Sequence, residues 1–271
     1  MKDINKFIAL TIGISWLIWL PLVLQSLGII SGTPGPGLLK LLGALSPAAA
    51  GLTLTGISEG SAGVRKLLKN SFTAYRSIGW LIFVLGGHML ITFIARMIFG
   101  LFETELPESV MVTGPGSFVF FTVAVFFFGG GLDEEIGWRG FLAEKLLNRM
   151  SPIKCIVLTG AIWIIWHLPL FWISGTNQKM LNFVEFAIPV AALNIMITWM
   201  YWRTRSVLLC ALFHTFGNVS HEVFRVIPTD AAPNPLGFYI FTALIVITAL
   251  LMLILDTRLY EKEDIMEQRQ E

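Results

Sequence analysis

The chain has 271 residues, of which 55% are hydrophobic and 14% charged, with a net charge of +1. A mean hydropathy of +0.73 is too apolar for a water-soluble domain, in which about a quarter of residues carry charge, and the near-neutral balance leaves no footprint for a nucleic acid. Composition predicts an all-α, polytopic helix bundle whose first partner is the lipid bilayer, with no polar linker to divide residues 1–271 into more than one domain.

About 20 apolar residues of helix cross the hydrocarbon, and that rule predicts eight spans, at 7–29, 38–57, 79–101, 115–132, 153–173, 183–201, 206–222 and 237–255. The first follows Lys2 and Lys6 as a signal peptide would. Its apolar run from Phe7 to Ile30 outlasts the usual signal core of about 7–15 residues, so it reads as a retained anchor. Lys40, Ser46 and Pro47 dilute the second span. After it, Val64, Leu67, Leu68 and Phe72 recur at helical spacing while Arg65, Lys66 and Lys69 take another face. A short helix on the inner leaflet and a solvated basic loop both fit that pattern. Gly56-Ile57-Ser58 faintly echoes a rhomboid nucleophile but falls in an inner loop. The seventh span is short and carries His214 and Asn218. Residues 226–236, with Pro228, Pro233 and Pro235, read as a loop, and the tail from Asp256 is charged throughout. Cys155 and Cys210 are too few for a disulfide framework or a structural zinc site. The nine tryptophans read as interface belts and packing.

Basic residues concentrate on the cytoplasmic side of short loops. With the N-terminus inside, that side collects Lys2, Lys6, Arg65, Lys66, Lys69, Arg76, Arg139, Lys145, Arg149, Lys154, Arg203, Arg205, Arg258, Lys262 and Arg269, against Lys40, Arg96, Lys179 and Arg225 outside. The acidic loop with Glu103, Glu105 and Glu108 falls outside as well. Both termini are therefore expected in the cytoplasm. Glu134 is expected near the inner face, in a cavity reached from that side.

The run Asp133-Glu134-Glu135-Ile136-Gly137-Trp138-Arg139-Gly140 closes an aromatic, apolar stretch. An ionised side chain near mid-bilayer costs about 2.5–3.5 kcal/mol on insertion scales, so such residues mark a functional site by default. Gly129-Gly130-Gly131 just before them permits a bend or a close contact. Residues four apart share a helix face, which lets Glu135 pair with Arg139 and turns Glu134 about 100° away. Trp163 and His167 share the same spacing, as do His214 and Asn218, and Pro169 should kink the helix after His167. Three helices thus offer polar groups to one cavity. Glu134 and His167 suit the activation of water, a step worth about 10²- to 10⁴-fold in rate per base. His214 and Asn218 suit an oxyanion, at about 3 kcal/mol per donor. Bland readings stand beside these: a structural ion pair for Glu135 and Arg139, interhelical hydrogen bonding for His214 and Asn218, and a core position for His88, which has no partner at helical spacing. His221-Glu222 begins a zincin-like pattern, but Arg225 takes its last position.

The order Glu-Glu-x-x-x-Arg, aromatic-x-x-x-His, His-x-x-x-Asn, with the run Glu-Glu-Ile-Gly-Trp-Arg-Gly-Phe, resembles the CPBP family of intramembrane proteases, which includes the type II CAAX prenyl endopeptidases and bacterial Abi proteins. The resemblance covers Glu134 to Asn218, inside a motif-bearing core at 115–222. It implies an eight-helix fold and an endopeptidase in which Glu134 and His167 activate water, His214 and Asn218 hold the oxyanion, and Glu135 and Arg139 support the helix. Trp163 stands where the family often has Phe. The family also carries a metalloprotease label, and Glu134, His167 and His214 can supply three protein ligands to a divalent metal such as zinc, although their spacing matches no zinc motif. The substrate implied is a peptide or protein, prenylated where the host prenylates proteins, and the motif style is bacterial, which implies a cytoplasmic membrane. Buried acids and histidines also build proton relays, so a transporter or a peptide-binding scaffold is the rival reading.

Overall fold

A computed structural model describes residues 2–33, 35–73, 77–103, 106–108 and 112–260. Of the charges mapped above, Arg76, Glu105, Lys262 and Arg269 lie outside the described residues, as does the tail beyond Tyr260. The chain folds into α1 (Lys2–Ser26), α2 (Pro36–Ala44), α3 (Ser46–Ser71), α4 (Ile78–Phe99), α5 (Pro115–Phe128) and α6 (Leu132–Glu135). A π-helical stretch (Ile136–Ala143) then leads into α7 (Glu144–Leu147), followed by α8 (Pro152–Trp166), α9 (Phe183–Thr204), α10 (Val207–Phe224) and α11 (Leu236–Leu255). Among the described residues no β-strand forms, and loop 226–236 holds only an isolated Thr229–Ala232 bridge.

Among the described residues six helical stretches are long and apolar enough to cross a membrane: Lys2–Ser26, Ile78–Phe99, Pro115–Leu147, Pro152–Trp172, Phe183–Thr204 and Leu236–Leu255. Large apolar side chains such as Leu17, Ile82, Phe120, Val157 and Ile247 cover their outward faces. The predicted second span is two helices, α2 and α3, bent by 45°. The reason is Pro47 in the first turn of α3, which cannot extend the hydrogen bonding of the helix before it. The predicted seventh span, α10, falls short of the other helices in hydropathy. It packs against α4, α5 and α9, so its polar side chains meet protein and not lipid. The basic segment after the second span is helical: α3 runs on to Ser71 past one non-helical residue, Gly60 (φ 67°, ψ −168°). Leu67 faces inward there, and Arg65, Lys66 and Lys69 face outward.

Hydrogen bonds between helix ends fix the alternation of the spans. At one end Ser206 Oγ donates to the Thr73 carbonyl at 3.4 Å, Arg205 pairs with Glu144 at 2.7 Å, and Arg203 pairs with Asp256 at 2.9 Å. At the other, the Ser174 amide donates to Ser26 Oγ at 3.0 Å, Asn234 to Glu103 at 3.2 Å and Tyr239 to Glu185 at 2.6 Å. The first is the basic end of the charge map. Asp256, just beyond α11, clamps it to α9. Its partial burial would raise the carboxyl, but hydrogen bonds from Arg258 and Trp199 and the charge of Arg203 hold it below the usual carboxylate range. A carboxylate held low keeps its contribution above the unfolded value and loses it only as pH falls through the folded one, so this clamp persists to below about pH 4.

Lipid tails are as apolar as the side chains, so helix association in a bilayer rests on close packing and interhelical hydrogen bonds. Ile4, Phe7, Thr11, Ser15, Trp19 and Leu22 of α1 are buried at helical spacing. Phe7 stacks on Phe141 at 5.1 Å and meets Trp138 edge-on at 5.6 Å. Trp16 and Trp19 reach α8, where Trp16 donates to the Trp166 carbonyl at 3.1 Å. On α3, Pro47 touches Gly137 of the π-helical stretch so closely that a Cβ there would overlap the Pro47 backbone. Gly137→Ala must push α3 away from that stretch and should cost about 1–3 kcal/mol, the range for overpacking. Thermal unfolding in detergent measures it, and an unchanged midpoint would contradict this packing.

Candidate active site

The helix carrying the acids breaks at Gly129-Gly130-Gly131, and non-helical backbone at membrane depth persists only where protein or a water-filled cavity satisfies its polar groups. Both sides of the break are satisfied. The Gly130 amide donates to Asp133 at 3.0 and 3.3 Å, and the Gly129 carbonyl accepts from Asn218 Nδ2 at 2.7 Å. Gly130 has φ +98°, and a Cβ on it would lie 2.8 Å from Asn218 Nδ2 and 2.9 Å from His214 Nε2. Only glycine combines that conformation with that approach.

Past the break, the two glutamates face different tasks. Glu135 is fully buried and its Oε1 accepts from Arg139 Nη1 and from His214 Nδ1, both at 2.9 Å. Arg139, also fully buried, donates from Nη2 to Asn194 Oδ1 at 3.0 Å and to Thr198 at 3.4 Å on α9. Asn194 in turn donates to the Ile156 carbonyl on α8 at 2.8 Å. Arg139 is therefore inside the bundle and does not count as a loop charge, which leaves the charge asymmetry in place.

Glu134 turns the other way. Its Oε2 accepts from two indoles, Trp163 Nε1 at 2.7 Å and Trp138 Nε1 at 3.0 Å. Trp163 also lies under the Arg139 guanidinium at 5.2 Å and between the two histidines, at 5.1 Å from the His214 ring and 5.7 Å from that of His167. His167 Nδ1 is 2.8 Å from the Trp163 carbonyl. A carbonyl only accepts, so Nδ1 carries the proton and Nε2 offers a lone pair. In His214, Nδ1 likewise donates to a carboxylate, so its Nε2 can donate only when the ring is doubly protonated.

Glu134, His167, His214 and Asn218 all line one cavity of about 560 Å³. Asn218 spends one amide hydrogen on Gly129 and keeps the second. The sequence expectation puts this cavity at the basic end, whereas its lining comes from the other end of the bundle. Lys40, Thr176, Gln178, Glu222, Arg225 and Thr229 surround its mouth, all from the opposite end. Pro169 also acts otherwise than expected, since α8 ends at Trp166 and a 3-10 turn, Leu168–Trp172, follows in place of a kinked helix. His88 is a core residue, but it does have a partner at helical spacing, Thr92 at 3.3 Å, besides Ser220 at 3.0 Å. Arg225 pairs with Glu222 at 3.0 Å. Ser58 donates to the Leu54 carbonyl within α3. Among the described residues no three His, Cys, Asp or Glu side chains converge enough to hold a metal ion. As placed, Glu134, His167 and His214 do not fit a zinc site.

Sequence reasoning missed the indole donors and the α9 anchor. Trp138 follows Glu134 by four residues, and Asn194 and Thr198 are four apart in an apolar helix, the same signal that exposed His214 and Asn218. Of the tryptophans read as interface belts and packing, Trp16, Trp19, Trp138, Trp163 and Trp166 all donate hydrogen bonds within the bundle.

Residues 115–220 match the family model described as type II CAAX prenyl endopeptidase Rce1-like. Over this segment the chain is similar to that family. A relative, CAAX prenyl protease 2 of Methanococcus maripaludis, is 32% identical over 100 residues, which cover 34% of this chain and 37% of that protein's length. The Rce1-like segment holds the glycine break, Glu134, the π-helical stretch, His167 and the α10 pair, whereas α1 to α4, α11 and the α1 packing face lie outside it.

Removing one partner of a buried ion pair leaves an uncompensated charge and costs about 3–5 kcal/mol. Arg139→Met should lower the unfolding midpoint in detergent by that order, and a midpoint equal to wild type would contradict the network.

Proposed function

We propose that this chain is an intramembrane endopeptidase that hydrolyses peptide bonds with a water activated by Glu134 and His167. The observation that carries the reading is the fixed orientation of both groups. Two indoles hold Glu134 by Oε2 and leave Oε1 for a water, while the Trp163 carbonyl holds His167 so that Nε2 is an acceptor. Water attacks the scissile carbonyl as its proton passes to this pair, and the same proton then goes to the leaving amine. The second Asn218 amide hydrogen and, when doubly protonated, His214 Nε2 stabilise the oxyanion, each donor being worth about 3 kcal/mol in a dry site. Glu135 and Arg139 are positioning residues, because they reach the chemistry only through His214 and Trp163. The Rce1-like match and the name of the archaeal relative support the protease class.

A wild-type and Glu134→Ala comparison of peptide termini in the membrane proteome tests the reading at equal folded abundance. Termini that vanish in the variant support proteolysis. Their complete absence would move a transporter or peptide-binding scaffold ahead. Trp163→Phe keeps the ring and removes the donor to Glu134. Loss of a hydrogen bond to a charged group costs about 1.5–3 kcal/mol, so cleavage should fall by about 10- to 100-fold in a folded protein. On this reading cleavage survives exhaustive chelation. Activity lost to a chelator and restored by zinc would assign the carbonyl polarisation to a metal.

A further inference from the structure

The cavity has a second polar wall, where α4, α10 and α11 meet. His88 of α4 is fully buried and lines the cavity together with His221 of α10 and Phe241 of α11. The two imidazoles meet edge-on at 5.4 Å, and His221 packs against Phe241 at 4.5 Å. Their hydrogen bonds do not balance. Ser220 Oγ donates its one hydrogen to the Gly217 carbonyl at 2.7 Å, and Thr92 Oγ1 donates to the His88 carbonyl at 3.0 Å. The hydrogen between His88 Nδ1 and Ser220 Oγ, 3.0 Å apart, therefore belongs to the imidazole, and His88 Nε2 is left with a bare lone pair. Nε2 of His88 and Nδ1 of His221 are both buried without a hydrogen-bond partner among the described residues. Buried polar groups are paired nearly throughout folded proteins, so two bare nitrogens on one cavity wall mark a place for a ligand group.

This wall is in register with the candidate site. His214, Asn218 and His221 stand at i, i+4 and i+7 on one face of α10. At a rise of about 1.5 Å per residue, His221 lies about 7–8 Å along the axis from the midpoint of His214 and Asn218. An extended polypeptide advances about 3.3 Å per residue, so that distance is about two residues. Gly217 lets the His88 ring edge press against α10, since a Cβ there would lie 3.3 Å from His88 Nε2. Neither His88 nor His221 falls within residues 115–220, the stretch that matches the family model.

We propose that His88 and His221 form a specificity subsite that accepts hydrogen bonds from a side-chain N–H or O–H of the bound polypeptide, about two residues from the scissile carbonyl. The proposal rests on the protease reading above. A carboxylate brings only acceptors to the bare His88 nitrogen, and an apolar side chain leaves it unpaired. With its proton on Nε2, His221 offers the second acceptor at Nδ1. Two neighbouring acceptors match the two hydrogens of a primary amide, so Asn and Gln fit best, ahead of Ser and Thr.

Two experiments on the full chain test this. Among Glu134-dependent termini, Asn and Gln should be enriched about 10-fold over apolar residues at one position about two residues from the cut. His221→Phe keeps a ring against Phe241 and should shift that position to apolar residues. His221→Asn places Oδ1 near the site of Nδ1 and should keep the preference. A purely structural role would move the unfolding midpoint and leave the preference alone. No enrichment in the wild type, or an unchanged preference in a folded His221→Phe, would overturn the subsite. The second experiment needs no cleavage. Benzamide and methyl benzoate share a ring and a carbonyl, but only benzamide has N–H donors. In detergent, benzamide should raise the unfolding midpoint of the wild type more than that of His221→Phe, and methyl benzoate should raise both alike. Equal effects of the two probes on the wild type would overturn the acceptor pair. A benzamide effect without any Glu134-dependent terminus would remove the protease reading, and the specificity role with it, while supporting the donor-binding site.

Discussion

The arrangement of the candidate site depends on one interaction, the ion pair between Glu135 and Arg139 inside an apolar bundle. An isolated charge at this depth costs several kilocalories per mole, whereas ordinary interhelical hydrogen bonds in membranes contribute about 0.6 kcal/mol each. The pair is therefore tolerable only if every neighbour supports it, and the neighbours come from three other helices. Arg139 reaches Asn194 and Thr198 on α9, Asn194 reaches the Ile156 carbonyl on α8, and Glu135 reaches His214 on α10. Those bonds fix the relative rotation of the helices that carry Glu134, His167, His214 and Asn218. The network that keeps these charges inside the bundle is also the frame of the proposed site.

The glycine break solves a second problem. A continuous helix satisfies its own backbone and leaves no opening, so a reaction chamber needs an interruption whose polar atoms find other partners. Asp133 and Asn218 supply them, and Gly130 brings the backbone against His214 and Asn218. Asn218 thereby joins structure to the proposed chemistry, with one amide hydrogen on the Gly129 carbonyl and the other assigned to the oxyanion on that proposal. Trp163 does the same, since its indole holds Glu134, its carbonyl sets the His167 tautomer, and its ring lies beside Arg139.

Much of this was legible in the sequence because helical periodicity is a local rule. The Glu135–Arg139 pairing, the opposite facing of Glu134 and the shared face of His214 and Asn218 all follow from spacing. The hollow end of the bundle was not legible. Ending the fourth span at residue 132 put Glu134 at a helix end, but the helical stretch runs from Pro115 to Leu147, so the acids lie well within it and the buried network closes the basic end. Which end of a bundle is hollow depends on contacts between distant helices. The indole donors escaped for a related reason: a tryptophan reads as an apolar ring until the acceptor for its N–H is known.

The most direct test of the central claim is cleavage by the Glu135→Met/Arg139→Met double variant, measured beside its unfolding midpoint. Replacing both partners of a buried pair with apolar side chains of similar length is often neutral for stability. The account predicts a folded protein whose Glu134-dependent cleavage is abolished, because His214 and the Trp163 wall have lost what orients them. A folded double variant that cleaves at the wild-type rate would contradict it.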